Sequence, residues 1–178
     1  MEHAQTVERI RAALAGTPHA WLTPRDGLPA LTLARAVLKD ALTRLKNEAG
    51  FETATFVTAI DRLSDRLGSA PRFELVHMLL SLAHNERVRV HTPLAEGESA
   101  PTCTDLWPGA AYMERECFDM FGIVFDGHVG LKRLLMPEEY SYFPLRKDFP
   151  HQGIEPDRLY REWDRKRRAD WHPEEAAR

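Results

Sequence analysis

The period of the apolar positions changes several times along the chain, and those changes mark its elements. Val7, Ile10 and Leu14 recur at spacings of three and four, predicting a short amphipathic helix over residues 4–15 closed by Gly16, Thr17 and Pro18. Ala20 to Leu22 reads as a brief strand before the loop Thr23–Gly27. The clearest stripe follows. Leu33, Val37, Leu38, Ala41, Leu42 and Leu45 share one helical face, with Arg35, Lys39, Asp40, Arg44 and Lys46 on other faces and Asn47 and Gly50 as the stop. After Gly50 the period becomes two. Ala54, Phe56, Thr58 and Ile60 are expected on one face of a strand, and Thr53, Thr55, Val57 and Ala59 on the other. A polar connector, Asp61–Pro71, leads into Phe73–Leu82, where Leu75, Val76, Met78, Leu79 and Leu80 predict a central strand covered on both faces. His84-Asn85-Glu86 reads as a turn. Val88, Val90 and Thr92 then alternate with Arg87, Arg89 and His91 in a half-exposed strand. The pattern predicts an α+β fold, a small mixed or antiparallel sheet packed with helices.

Pro93–Pro101 is a loop by composition. Asp105 is placed to cap a helix with Pro108 in its first turn, where a missing amide costs little. Ala110, Met113, Cys117 and Met120 keep helical spacing up to Gly122. Beyond Ile123 no period is sustained. Three segments are expected: an α+β domain over 1–122, an extended arm over 123–156 and a charged tail over 157–178. In the tail Glu162, Asp164 and Asp170 dilute the basic run Arg165–Arg168, while Tyr160, Trp163 and Trp171 suit a mixed-charge contact.

Composition narrows the classes. With 178 residues, 43% hydrophobic, the chain is long enough for one domain with a real core. A net charge of −3 argues against a dedicated nucleic-acid binder. No apolar run reaches the roughly 18–20 residues that cross a bilayer. Met1-Glu2-His3 lacks the layout of a signal peptide, so a cytosolic setting is expected, with peripheral attachment to a membrane open. The two cysteines, Cys103 and Cys117, form no Cys-x-x-Cys and fall short of the four thiolates an iron–sulfur cluster usually takes.

Three groups of residues carry candidate chemistry. On a helix Arg115 and Asp119 lie four apart and Glu116 and Asp119 three apart. One reading is a solvated face with an exposed ion pair worth about 0.3–0.5 kcal/mol. The other is a polar network fixing this helix and the following loop against a partner. Glu114, Glu116 and Asp119, with His128, also admit a stand-alone metal-dependent hydrolase, although no nucleophile motif, phosphate loop or zinc spacing accompanies them. Arg146, Lys147 and Asp148 lie between Pro144 and Pro150, where neither long helix nor central strand fits. They read as a basic surface loop or as an arm whose arginine pairs with a carboxylate of a neighbouring protein, anchored by Phe143 and Phe149.

The run Leu106-Trp107-Pro108-Gly109-Ala110-Ala111-Tyr112-Met113-Glu114-Arg115-Glu116-Cys117-Phe118-Asp119-Met120-Phe121-Gly122-Ile123 is the most specific in the chain. With His128, Arg133-Leu134-Leu135 and Pro144-Leu145-Arg146-Lys147-Asp148-Phe149-Pro150, it resembles the signature of the 30 kDa subunit family of respiratory complex I, the NADH-quinone oxidoreductase. The likeness is strongest over 104–150 and extends more loosely back to about residue 30. It implies an α/β domain followed by an extended C-terminal segment, with no redox cofactor held by this chain. It also implies partners: the large subunit that helps form the quinone site and the iron–sulfur subunit that holds the terminal cluster. FMN, iron–sulfur clusters and quinone then belong to partner subunits, and the site residues are partner-binding rather than catalytic. The setting implied is the cytoplasmic face of the inner membrane, or the matrix side in a mitochondrion. Related subunits of membrane-bound hydrogenases and ferredoxin-linked complexes are the alternative within the same resemblance. Two features depart from the family pattern. Val129 and Gly130 follow His128 where proline is common, and Arg161–Arg168 matches no general pattern.

Overall fold

The computed structural model describes residues 2–63, 71–151, 153, 161–162, 164–166 and 169. The chain divides into two units, Met1–Lys147 and Asp148–Arg178. In the first, three helices, α1 (Glu2–Ala13), α2 (Arg35–Asn47) and α3 (Ala110–Phe121), accompany a five-stranded sheet. Its strands are β1 (His19–Leu22), β2 (Ala30–Leu33), β3 (Thr53–Asp61), β4 (Phe73–Ser81) and β5 (Glu86–Leu94), in the order β1-β2-β5-β4-β3. Only β2 and β5 pair in parallel; the other neighbours are antiparallel. A two-residue ladder, β6 (Ala100–Pro101) with β7 (Phe125–Asp126), ties the segment before α3 to the one after it. The expected α+β class is what forms. In the second unit residues 161–162, 164–166 and 169 are helical, and the Gly153 amide donates to Pro150 O at 2.9 Å. Tyr160, Trp163 and Trp171, the expected docking residues of the tail, lie outside the described residues.

One core joins α1, α2 and α3 to a single face of the sheet: Ile10 and Leu14, Leu38, Leu42 and Leu45, and Cys117 and Phe121 pack with Leu75, Leu79, Val88 and Val90. Each fully buried leucine contributes roughly 1.5–3 kcal/mol. Trp107 enters the same core and donates its indole N–H to Phe51 O at 3.3 Å.

Several expectations are corrected. The apolar run that starts at Leu33 belongs first to β2, because Ala34 is extended (φ −68, ψ 147), and the helix begins at Arg35. A bulge between Ala54 and Phe56 shifts the alternation of β3, so Ala54 points inward with Val57 and Ala59 while Phe56 and Ile60 face out. β4 is an interior strand, but helices cover only one of its faces; Met78 and Leu80 on the other are half-buried. β5 runs through Pro93 to Leu94, beyond its last pairing with β2 at His91, so a missing amide is tolerated there. The helix expected from Asp105 starts at Ala110. Residues 104–109 turn Trp107 inward, and Asp105 pairs with Lys39 instead of capping. Gly122 does end α3, in the left-handed conformation (φ 78).

Candidate partner-docking site

The signature residues sit on α3 and on the loop that follows it, and the fold explains why they are charged. Glu114 faces inward, fully buried, and accepts from the Thr102 hydroxyl at 2.6 Å and the Cys103 amide at 2.7 Å. It staples the segment before the helix to the helix itself. Asp119, one turn on, is also fully buried. Its Oδ2 accepts the amides of Leu134, Leu135 and Met136 at 3.0, 2.6 and 2.9 Å, and its Oδ1 accepts from the Arg133 guanidinium at 2.7 Å. Burial pushes this carboxyl up, yet the Met136 amide, Arg133 and the Leu135 and Leu134 amides outweigh it and hold it below the usual carboxylate range. Arg133 also stacks over Phe143 and Tyr140, 5.3 and 5.8 Å from their ring centres.

The pairing expected from helical spacing therefore does not occur. Asp119 turns inward to Arg133, and Arg115 donates to Lys132 O at 3.1 Å and Arg133 O at 2.8 Å while lying over Tyr112. Both residues fix the same loop from opposite ends. Glu116, half-buried beside them, makes no hydrogen bond or ion pair among the described residues. His128 shares its Nε2 with Ala111 O at 3.1 Å, in the first turn of α3, and its Nδ1 is buried without a partner among the described residues.

The Pro144–Lys147 stretch lies on the other end of α3. Leu145 N donates to Met120 O, and Arg146 Nε donates to Phe121 O at 2.6 Å. The Arg146 guanidinium reaches Glu96 at 3.1 Å and stacks on Phe143 and Phe73, 4.4 and 5.3 Å from their centres. Its carboxylate partner is thus within this chain. Phe121 meets Phe73 edge-on at 6.4 Å, and a Cβ added at Gly122 would stand 2.7 Å from both Arg146 and Phe143. Only glycine permits that approach, independently of its positive φ. The Lys147 amide donates to Asp61 Oδ2 at 2.9 Å. Sequence reasoning missed Asp61, Glu96 and Arg72: Asp61, fully buried, also accepts from the Leu63 amide and from Arg72, which in turn pairs with Glu96. Burial raises the Asp61 carboxyl, and the Lys147 amide and Arg72 pull it lower still. Asp148 and Phe149 belong to the second unit.

The hydrolase arrangement is not assembled. Glu114 and Asp119 spend their oxygens on backbone amides, a hydroxyl and an arginine, and among the described residues no three His, Cys, Asp or Glu side chains are grouped to hold a metal. Burial pushes the Cys103 and Cys117 thiols up, away from the reactive thiolate. What the block presents outward is apolar: Tyr112 and Leu135 are each 65% exposed and Val129 93%.

The family model of the respiratory-chain NADH dehydrogenase 30 kDa subunit matches residues 31–155. The chain belongs to this family. The C-type subunit of NADH-quinone oxidoreductase from Citrifermentans bemidjiense is 40% identical over 76% of this chain and 81% of its own length. Its counterpart from Roseiflexus sp. is 38% identical over 84% of this chain and 85% of its own. The chain spans half the length of the counterpart from Roseiflexus castenholzii and a quarter of the C/D-type subunit from Sulfurihydrogenibium sp.. Among solved structures, a trypsin-resistant fragment of Nqo5 shares 31% identity at a TM-score of 0.62, covering 72% of this chain and 98% of the fragment. A chain of the membrane-bound sulfane sulfur reductase, an archaeal respiratory membrane complex, has the same fold at a TM-score of 0.70 and 22% identity, over 92% of each chain. No helix among the described residues is long and apolar enough to cross a membrane.

Proposed function

We propose that this 30 kDa-family chain is a cofactor-free positioning subunit in the peripheral arm of a proton-translocating NADH-quinone oxidoreductase. It holds the large quinone-site subunit and the terminal-cluster iron–sulfur subunit in register while electrons pass from NADH through FMN and iron–sulfur clusters to quinone. The arm stands on the cytoplasmic side of the membrane, or the matrix side in a mitochondrion. One observation carries this reading. The signature charges Glu114, Arg115, Asp119, Arg133 and Arg146 are satisfied inside the chain, so they brace a rigid block whose outward face is left to Tyr112, Val129 and Leu135. Exposed apolar side chains on a braced surface suit docking better than chemistry. Relatives of the C/D type support the partner choice, since a shared chain keeps two modules at high effective concentration.

The fold alone does not select the electron donor, because a sulfane sulfur reductase complex contains it as well. A hydrogenase or ferredoxin-linked complex is therefore the second reading. Purification of the tagged chain from its native membranes in mild detergent, with mass spectrometry of what accompanies it, tests both. Flavin and iron–sulfur subunits with inhibitor-sensitive NADH-to-quinone activity are expected. A nickel–iron subunit in their place would move the chain to the second reading, and a chain recovered alone with its own turnover would refute both.

A further inference from the structure

The sheet has two faces, and the described part of this chain uses one. The inward residues Leu31, Val57, Leu75, Leu79, Val88 and Val90 share a core with all three helices. Ala30 and Val76 are buried too, but stand outside that core because they point the other way.

Strand register shows what this second face carries. Phe56 of β3 lies opposite Met78 of β4, which lies opposite Arg89 of β5; in the next row Thr58, Val76 and His91 follow the same order. Leu80 stands against Arg87, and Ile60 against Glu74. The β3–β4 half is thus apolar, with Phe56 47% and Ile60 36% exposed, and β5 borders it with a basic ridge. Most of that ridge is neutralised locally. Arg89 pairs with Asp26, and Glu74 joins His91 to Arg62. Arg87 is exposed and makes no ion pair among the described residues.

An apolar sheet face beside one unmatched cation has a definite complement. Sheets bury such a face under a second layer, most simply a helix lying along the strands. A nine-residue strand is about 30 Å long, enough for roughly five turns of helix. All three described helices of this unit are committed to the opposite face. We propose that the Phe56–Met78–Leu80 face receives an amphipathic helix of another subunit of the oxidoreductase, with a carboxylate on its flank paired to Arg87. The inference rests on the assembly reading above only for where that helix comes from.

The test is made in the assembled complex. A benzophenone amino acid replaces Phe56 in the tagged chain, the complex is purified and irradiated, and the crosslinked peptide is sequenced. The expected product is one helical peptide of another subunit, with an apolar stripe and a flanking Asp or Glu. Arg87→Glu should lower its yield about tenfold while Arg87→Lys retains it, as for a contact that contributes to docking through charge. Crosslinks to a second copy of this chain, to its own residues or to solvent alone would overturn the inference and leave the assembly reading standing. A chain that purifies without other subunits would sink both.

Discussion

Asp119 carries more structure than any other residue of the signature, and replacing it tests why the signature is charged. Asp119→Asn keeps the shape and one oxygen but removes the charge. If the amide oxygen stays at the Oδ2 position, three backbone N–H bonds persist as neutral ones, and the new NH2 then faces the Arg133 guanidinium, donor against donor. The carboxylate is fully buried and Arg133 is 10% exposed, so water does not replace what is lost. Stranding one member of a buried pair costs roughly 3–5 kcal/mol. We expect about 3 kcal/mol for Asp119→Asn and up to about 5 for Asp119→Ala, which loses every acceptor at once. Urea unfolding of the purified chain followed by tryptophan fluorescence reads this as a lowered midpoint. Adding Arg133→Met to Asp119→Asn should cost much less than the sum of the two changes, because the stranded charge is then gone. A loss under about 1 kcal/mol for Asp119→Asn, or full additivity in the pair, would refute the buried network.

Three further outcomes follow from the same geometry. Gly122→Ala forces a left-handed alanine and a Cβ against Arg146 and Phe143, so hydrogen exchange should show residues 143–147 losing protection, at a cost of about 2–4 kcal/mol. Arg115→Ala removes two bonds to loop carbonyls, about 1 kcal/mol each, and should leave the midpoint within about 2 kcal/mol of the parent while lowering the yield of assembled complex. Normal yield would count against a docking role for that block. His77 is fully buried with both ring nitrogens unpartnered, and burial lowers its pKa from 6.5 to about 4. Its folded value lies below its unfolded one, so the unfolded chain binds the proton first. Stability is lost as pH falls below 6.5 and the loss saturates below about 4, at about 3 kcal/mol. The parent minus His77→Met difference in urea midpoint isolates this slope from that of the carboxylates, and a pH-independent difference would contradict it.

Elements whose period lasts three turns or nine residues are readable without coordinates: the stripe of α2, the alternation of β5 and the Gly122 stop. What resists reading depends on non-local geometry. A one-residue bulge at Ala54–Phe56 inverts which half of β3 is inside, and nothing in composition marks it. β2 is four residues fused to the start of a helical stripe, too short to show its own period. The charged signature is recognisable, but its pairing is not. Helical spacing joins Arg115 to Asp119, whereas burial turns Asp119 toward Arg133 fourteen residues on and gives Arg146 to Glu96 fifty residues back. Local spacing describes an exposed helix, and α3 is exposed on only one side.

The claim that this chain positions other subunits is tested most directly in membranes from cells lacking it. NADH oxidation by an artificial acceptor and by quinone would be measured side by side, before and after the purified chain is added back. Positioning requires quinone reduction to be lost without the chain and restored with it, while the artificial acceptor is still reduced by the flavin-bearing subunits. Quinone reduction at the parental rate in its absence would contradict the claim.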